Sequence, residues 1–341
     1  MHICHINLAK GFSGGERQTL NLIKSLQAQG VSQTLVTQPD YPLAREVRAL
    51  GIPVKAVRHF LKGHLKGGDW DLLHCHDGKA VYWAYLEGLL RQTPYVITRR
   101  VDNPLSDSAL TRSAYQKAKK VVCLSRAIAS AVKGAVPQAD TAIIPSSFSG
   151  FAADPVVVAD IKARYPGKTL VGQVGKLLHH KGYQVTIAAA RAMADSHPER
   201  QFLLLGEGPD RRDFEAQAQG LANVQFLGHR DDIGNWLAAL DLMLFPSLSE
   251  GLGSTILEAM QHGVPVIGSD AGGIPDIIED GQNGLLVPPG NAEALAKAID
   301  TLLMAPPLQD KLRLQAQESL SRFSPLRVCQ DYLTLYGALL S

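Results

Sequence analysis

Short apolar runs alternate along the whole chain with stretches of helical periodicity, and glycine or proline marks most of the joins. HICHINLAK (2–10) reads as a strand and GFSGGE (11–16) as a turn. A helix with apolar Leu20, Leu22, Ile23 and Leu26 then runs to about Gln29, where Gly30 suits its end. The same order recurs: strand 32–39, helix 42–50, strand 52–57, a strand end at 71–76, helix 79–91, strand 94–100, helix 107–119, strand 120–125, helix 126–134 and strand 141–148. Residues 152–166 read as a linker, after which the pattern starts afresh. Strands at 170–177, 201–208, 224–230, 241–247, 265–270 and 283–289 are separated by helices at 183–195, 209–220, 232–240, 255–262 and 273–278. Helices at 291–304 and 308–320 follow.

Strands that alternate with helices make parallel sheets covered on both faces. The pattern therefore predicts two doubly wound, Rossmann-like α/β domains, 1–155 and 156–322. The last segment, 323–341, carries Leu326, Val328, Tyr332, Leu335, Tyr336 and Leu339 on one helical face, and is expected to pack back across the domain boundary. In open parallel sheets ligands bind beyond the carboxyl ends of the strands, so the two domains are expected to face each other across a cleft holding the reaction site.

Composition changes this picture little. The 341 residues allow two cores, and 45% apolar with 19% charged residues is ordinary for a globular chain. No run reaches the roughly 20 apolar residues of a membrane span. Met1 leads directly into a strand without a basic segment and apolar run, so the expected location is cytoplasmic. Cys4, Cys75, Cys123 and Cys329 are scattered without zinc-ligand spacing and read as small core side chains, and no metal site is expected.

Charge adds one asymmetry. Residues 1–165 carry 21 Lys/Arg against 12 Asp/Glu, and residues 166–341 carry 13 against 20. The basic half suits an anionic partner, or the two halves attract each other. The chain lacks a basic stripe interleaved with aromatic residues, which argues against a nucleic acid.

Four loops at strand ends carry candidate chemistry. Gly14 and Gly15 lie between the first strand and first helix, where backbone N–H groups can hold a phosphate or sugar oxygen; a plain tight turn is the alternative. The spacing is neither GxGxxG nor a P-loop. Lys176 and Lys181 flank the loop after strand 170–177, and their ammonium groups can neutralise a leaving diphosphate; a solvated basic loop is the alternative. Ser249-Glu250-Gly251-Leu252-Gly253 precedes the helix that contains Glu258, and carboxylates there can accept hydrogen bonds from vicinal hydroxyls. Gly272, Gly273 and Ile274 follow the strand at 265–270, in a join that offers free N–H groups. In the first domain His74 and His76 point to one side of a strand end beside Asp77, where His76 or Asp77 can reach an acceptor hydroxyl, and His5 lies near another strand end. Arg99 and Arg100 close the VITRR strand, as phosphate ligands or as members of an ion pair.

SEGLGSTILEAMQHGVPVIGSDAGGIPDIIEDGQNGLLVPPG, with Glu250 and Glu258 spaced E-x7-E, together with LLLGEGPDR, VQFLGHRDDI and LDLMLFPS, resembles glycosyltransferase family 4 of the GT-B fold. The likeness extends over nearly the whole chain. It implies transfer of a sugar from a UDP-, GDP- or ADP-linked donor, with retention of configuration and without a metal, to a hydroxyl of a glycan or glycolipid. It further implies that Glu258 holds the ribose hydroxyls, that Glu250 contacts the donor sugar, and that Lys181 meets the diphosphate. Lys176 stands where the family has arginine, which keeps the charge but loses the planar fork. Gly14 and Gly15 match the glycine loop near the donor phosphate, and Gly251, Leu252, Gly253, Gly272, Gly273 and Ile274 match the donor-sugar segment. Gly206, Gly208, His229 and Arg230 match the walls of the base site. Where many relatives carry a histidine at the end of the VITRR strand, this chain has Arg99, or Arg100 if the register slips; Arg99 and His76 therefore join Glu250, Lys181 and Lys176 as catalytic candidates.

The basic first domain suggests an anionic acceptor, such as a lipopolysaccharide core or a lipid-linked glycan, with peripheral contact to the inner membrane and a monomer or weak dimer as the working form. A nucleotide-sugar epimerase or hydrolase of the same fold, or a non-catalytic nucleotide-sugar-binding protein, are the rival readings. A sensor would not need Glu250, Glu258 and Lys181, and all three are present.

Overall fold

The computed structural model describes residues 1–64 and 67–341. The chain divides into two compact units, residues 1–149 with 323–341, and residues 150–322.

The first unit runs β1 (His2–Asn7), α1 (Gly14–Ala28), β2 (Ser32–Thr37), α2 (Pro42–Ala49), β3 (Val54–Ala56), β4 (Leu72–Cys75), α3 (Gly78–Arg91), β5 (Tyr95–Arg99), α4 (Ala109–Lys117), β6 (Lys120–Cys123), α5 (Arg126–Ala135) and β7 (Thr141–Ile143). Among the described residues these seven strands form one parallel sheet in the order β3-β2-β1-β4-β5-β6-β7. The order reverses direction between β1 and β4, so the crossover helices on either side of that seam fall on opposite faces.

The second unit opens with α6 (Pro155–Ala163) and continues β8 (Thr169–Val174), α7 (Tyr183–Met193), β9 (Arg200–Leu205), α8 (Arg211–Gln217), β10 (Val224–Gly228), α9 (Ile233–Ala239), β11 (Leu242–Phe245), α10 (Ser254–Gln261), β12 (Val266–Ser269), β13 (Leu285–Val287), α11 (Ala292–Leu303) and α12 (Pro306–Ser319). Its strands are again parallel, in the order β10-β9-β8-β11-β12-β13, with the reversal between β8 and β11.

The chain then returns to the first unit through α13 (Pro325–Leu340). Val328, Cys329, Tyr332 and Tyr336 of α13 enter one core cluster with Ile3, Leu22, Leu26, Leu72, Val96 and Val122, so this helix completes the first unit's core. The second unit's main cluster joins Val171, Phe202, Leu242, Leu244 and Ile267 of the sheet to α7, α11 and α12. All four cysteines are buried free thiols.

Two segments differ from the pattern read along the chain. Residues 155–163, taken as linker, form α6: Asp154 caps it by accepting from the Val156 N–H (2.9 Å), and Pro155 presets the first turn. α6 lies in the second unit, where the Asp154 N–H donates to Asn235 (2.7 Å). The helix expected at 273–278 is a single 3-10 turn, Ile274–Asp276, closed at Ile277, where the Ile277 and Ile278 N–H groups both donate to the Ile274 carbonyl (3.0 and 2.9 Å). Among the described residues no helix is long and apolar enough to cross a membrane.

Candidate active site

In each unit the seam where strand order reverses is where a parallel sheet opens toward a ligand. In the second unit that seam lies between β8 and β11, and the loops leaving these strands carry Lys181 and Glu250.

The Lys181 loop is fixed by backbone contact. Gln173 on β8, held by the Thr186 hydroxyl (2.7 Å), donates to the Lys181 carbonyl (2.8 Å). Gly182 adopts φ +75°, and a methyl group there would lie 1.9 Å from the Pro246 carbonyl oxygen. The Leu248 N–H donates to the His180 carbonyl (2.7 Å), which joins the two loops again. The outcome is an ion pair: the Lys181 ammonium donates to the Glu250 carboxylate, with both side chains largely buried. The same ammonium lies 6.0 Å from the centre of the Phe245 ring. Lys176 is exposed and, among the described residues, meets no carboxylate. The structure thus brings Lys181 and Glu250 together and leaves Lys176 apart.

Glu258 lies one turn into α10 and is only 3% exposed, among the buried Ile256, Leu257, Ala259 and Met260. The helix starts at Gly253, whose φ of +91° and close approach to the Phe245 ring exclude a side chain. Leu252 is buried beside it.

The remaining glycines sit where backbones touch. A methyl at Gly272 would lie 2.2 Å from the Glu250 carbonyl oxygen, and one at Gly273 2.2 Å from that of Gly251. The Gly273 N–H donates to the Glu250 carbonyl (2.8 Å), so this turn holds the Glu250 loop in place. Ile274 is wholly buried against Gly268. Gly206 and Gly208 press on the 175–177 loop, where added methyls would lie 1.8 Å and 2.1 Å from the Gly175 and Leu177 oxygens. Their first role is to let one loop support the other. Beyond β10, His229 is exposed and bonds Asp231 (3.1 Å), while the Arg230 guanidinium sits 5.1 Å over the Trp236 ring.

The first unit's seam is built differently. His5 and His74 are register partners on β1 and β4, and His76 follows β4. Their ring nitrogens lie within 4.8 Å of one another, a grouping that could in principle hold a metal. Every one of those nitrogens has a hydrogen-bond partner within the unit. Tyr336 and Thr98 bond the two nitrogens of His74 (2.6 and 2.7 Å), His5 bonds Gln33 and His76 (3.0 Å each), and the second nitrogen of His76 faces Arg100 (3.3 Å). Burial pushes the His5 pKa down to about 4 and holds those of His74 and His76 well below the usual range; neighbouring histidines and Arg100 add to the effect in His74 and His76. All three rings are therefore neutral near pH 7.

Asp77, beside them, is a structural clamp. One oxygen caps α3 by accepting from the Lys79 and Ala80 N–H groups (2.8 and 3.2 Å), and the other accepts from the Leu8 N–H. Arg99, the last residue of β5, and Arg100, just beyond it, point to different partners. Arg99 donates to Asn103 and to the Tyr115 hydroxyl, whereas Arg100 meets His76. Gly14 and Gly15 need no glycine for their own packing. Nothing among the described residues lies within 4 Å of a methyl built at Gly14, and only the Arg100 side chain, 3.6 Å away, approaches one at Gly15. Sequence reasoning missed Gln33, Thr98, Tyr332 and Tyr336 as members of this network. The one available signal was three histidines at the ends of two strands.

Two doubly wound parallel α/β units, each with polar loops at the carboxyl ends of its seam strands, have the architecture of the GT-B class. Residues 12–147 match the family described as Glycosyltransferase Family 4, and residues 168–305 match Glycosyl transferases group 1. The chain is 30% identical over 277 residues to 2-deoxystreptamine glucosyltransferase of Streptomyces kanamyceticus, covering 71% of each chain. It is 27% identical over 347 residues to the lipopolysaccharide core biosynthesis glycosyltransferase LpsE of Rhizobium meliloti, covering 99% of both. The crystal structure of Anabaena HepE in complex with UDP matches with a TM-score of 0.87 at 22% identity, over 99% of this chain and 100% of that one. The chain belongs to glycosyltransferase family 4: it is a GT-B glycosyltransferase that transfers a sugar from a nucleotide-sugar donor to an acceptor.

Proposed function

We propose that this enzyme transfers the sugar with retention of anomeric configuration to a hydroxyl of an envelope glycan or glycolipid. The observation that carries the reading is the Lys181–Glu250 pair at the β8/β11 seam, within the residues 168–305 that match Glycosyl transferases group 1. Lys181 neutralises the donor's diphosphate as the bond from the anomeric carbon to the phosphate oxygen breaks and the electron pair leaves with that oxygen. Glu250 orients the ammonium and faces the sugar, whose ring gains positive charge in the transition state. The acceptor oxygen bonds the anomeric carbon on the face the diphosphate leaves, and its proton passes to the departing phosphate oxygen. Glu258 is assigned to the ribose hydroxyls. The exposed Lys176 supplies a second ammonium once a diphosphate is present. The positive charge at the diphosphate comes from the Lys181 and Lys176 side chains.

The relatives guide the rest. One is named for lipopolysaccharide core biosynthesis, and one structural neighbour was crystallised with UDP, which makes a UDP-sugar the first donor to test. The excess of basic residues in the first half favours an acidic acceptor at a membrane face.

The test is calorimetric titration of UDP-, GDP-, ADP- and CMP-sugars into wild type and Glu258→Ala, with EDTA present. One preferred donor, bound at least about ten-fold more weakly by the variant, is expected. Equal binding by wild type and variant would remove Glu258 from the site, and no binding of any donor would overturn the reading.

A further inference from the structure

The hydrogen bonds around His76 run in one direction. A guanidinium can only donate, so the Arg100 N–H points at His76 Nδ1, which must be an unprotonated acceptor. His76 then carries its hydrogen on Nε2 and donates to His5 Nδ1 (3.0 Å). His5 in turn donates from Nε2 to the Gln33 oxygen (3.0 Å), and Gln33 donates to the Ile23 carbonyl (3.1 Å). The chain of donors starts at Arg100 and ends on backbone in the core of the unit. Each tautomer is fixed by its neighbour, so His76 turns a lone pair toward Arg100 and is not placed to take a proton from a substrate.

The far end of the chain is unfinished. Among the described residues His76 is the one hydrogen-bond acceptor that Arg100 meets, and its Nε has no partner. The Arg100 side chain lies beside Gly15, where the packing leaves room; it also lines a water-sized cavity of about 10 Å³ with Gln18, Leu22, Ser146, Val328 and Tyr332, too small for an oxyanion, so the open side is the one at the glycine loop. The nearby Glu16 carboxylate accepts the Ser13 N–H and hydroxyl on one oxygen, Oε2 (2.8 and 2.7 Å), and makes no ion pair with Arg100.

We propose that Arg100 binds a phosphate or carboxylate oxyanion of a substrate at the glycine loop, and that His76, His5 and Gln33 are positioning residues that aim it. The inference rests on the proposed transferase reading and names the charge that the first unit recognises. It assigns to Arg100, and not to Arg99 or to His76 as a base, the place at this loop. Two sources share the chemistry: the donor's diphosphate and an acidic group on the acceptor.

The test uses the full chain, with folding of each variant checked by thermal unfolding. UDP and uridine, or the matching pair for whichever base the wild type prefers, are titrated into wild type, Arg100→Gln, Arg100→Lys and Lys181→Ala. In a second arm, phosphorus NMR follows inorganic phosphate added to protein saturated with the nucleoside diphosphate. If the donor is the source, Arg100→Gln weakens diphosphate binding about ten-fold or more, leaves the nucleoside unchanged, and is partly restored in Arg100→Lys. If the acceptor is the source, diphosphate binding is unchanged, and wild type but not Arg100→Gln binds inorganic phosphate. His5→Asn and His76→Asn are expected to shift the same arm in the same direction while retaining the fold. No change in either arm for Arg100→Gln, with diphosphate binding still lost in Lys181→Ala, overturns this inference alone. Binding of no nucleotide by wild type overturns the transferase reading with it.

Discussion

The two units share a parallel sheet with one reversal of strand order, yet they treat glycine and charge in opposite ways at that seam. In the second unit the loops press on each other backbone to backbone at Gly182, Gly206, Gly208, Gly272 and Gly273, and a partly buried ion pair is left at the surface of that frame. In the first unit the glycines at 14 and 15 have open space, while the polar side chains behind them form a buried, neutral network of histidine, tyrosine, threonine and glutamine. Glycine has two uses, permitting strained or tight backbone and leaving room for something else, and the chain separates them. The second unit fixes its charged pair through rigid backbone. The first aims a cation through ordered side chains.

The largest expected effect lies on the ion pair. Lys181→Ala should lower kcat/KM for the donor by about 10²–10³-fold with little change in Tm, because the side chain is at the margin of the frame and not part of it. Steady-state kinetics beside thermal unfolding checks this. If Glu250→Gln lowers stability more than activity, the pair is a structural bridge and the contrast between the units weakens.

Glycine substitutions divide the units next. Gly182→Ala and Gly206→Ala add a methyl less than 2 Å from a carbonyl oxygen at positive φ, and should cost about 3 kcal/mol or more in urea unfolding. Gly14→Ala, at the start of α1 with open space around the added methyl, should leave stability unchanged or raise it by up to about 1 kcal/mol, and reduce activity instead. Equal costs at both places would erase the distinction.

Acid should unfold the first unit before the second. A histidine neutral when folded and free to protonate when unfolded makes the unfolded state bind more protons, so stability falls as pH drops below the unfolded value of about 6.5 and levels off below the folded value. For His5, whose folded pKa lies at about 4, the loss is on the order of 3 kcal/mol by pH 4, and His74 and His76 act in the same direction. Hydrogen exchange between pH 7 and pH 4.5 is expected to loosen β1 and β4 ahead of β8 and β11. Simultaneous loosening would mean that the histidine network does not set the first unit's acid limit.

Among the substitutions expected to destabilise the fold, Tyr336→Phe comes last. It removes the hydroxyl that bonds the buried His74 Nδ1 and should cost about 1–3 kcal/mol, with donor binding unchanged.

Much of the architecture was legible because alternating strands and helices leave a strong pattern, and the seam loops followed from strand ends. The α6 helix was not legible, since Val156, Val157 and Val158 are poor helix formers without amphipathic spacing, and only the Asp154-Pro155 start marks it. Glu250 and Lys181 were picked out by motif, but their pairing depends on loops brought together by sheet order. The glycines at 206, 208, 272 and 273 were noticed for ligand approach, whereas tight backbone contact already requires them; sequence does not distinguish a missing Cβ facing a ligand from one facing a carbonyl. The choice between Arg99 and Arg100 was equally hidden. The strand ends between the two, and nothing in VITRR says which of them turns toward His76.

In the proposed mechanism, sugar transfer depends on the fixed ammonium of Lys181. The most direct measurement is the rate of sugar transfer, or of slow donor hydrolysis, from the preferred nucleotide sugar in EDTA, for wild type and Lys181→Ala. Full wild-type rate in EDTA with a loss of about 10²-fold or more in the variant is the predicted result. Wild-type activity abolished by EDTA, or a variant that retains the wild-type rate, would contradict it.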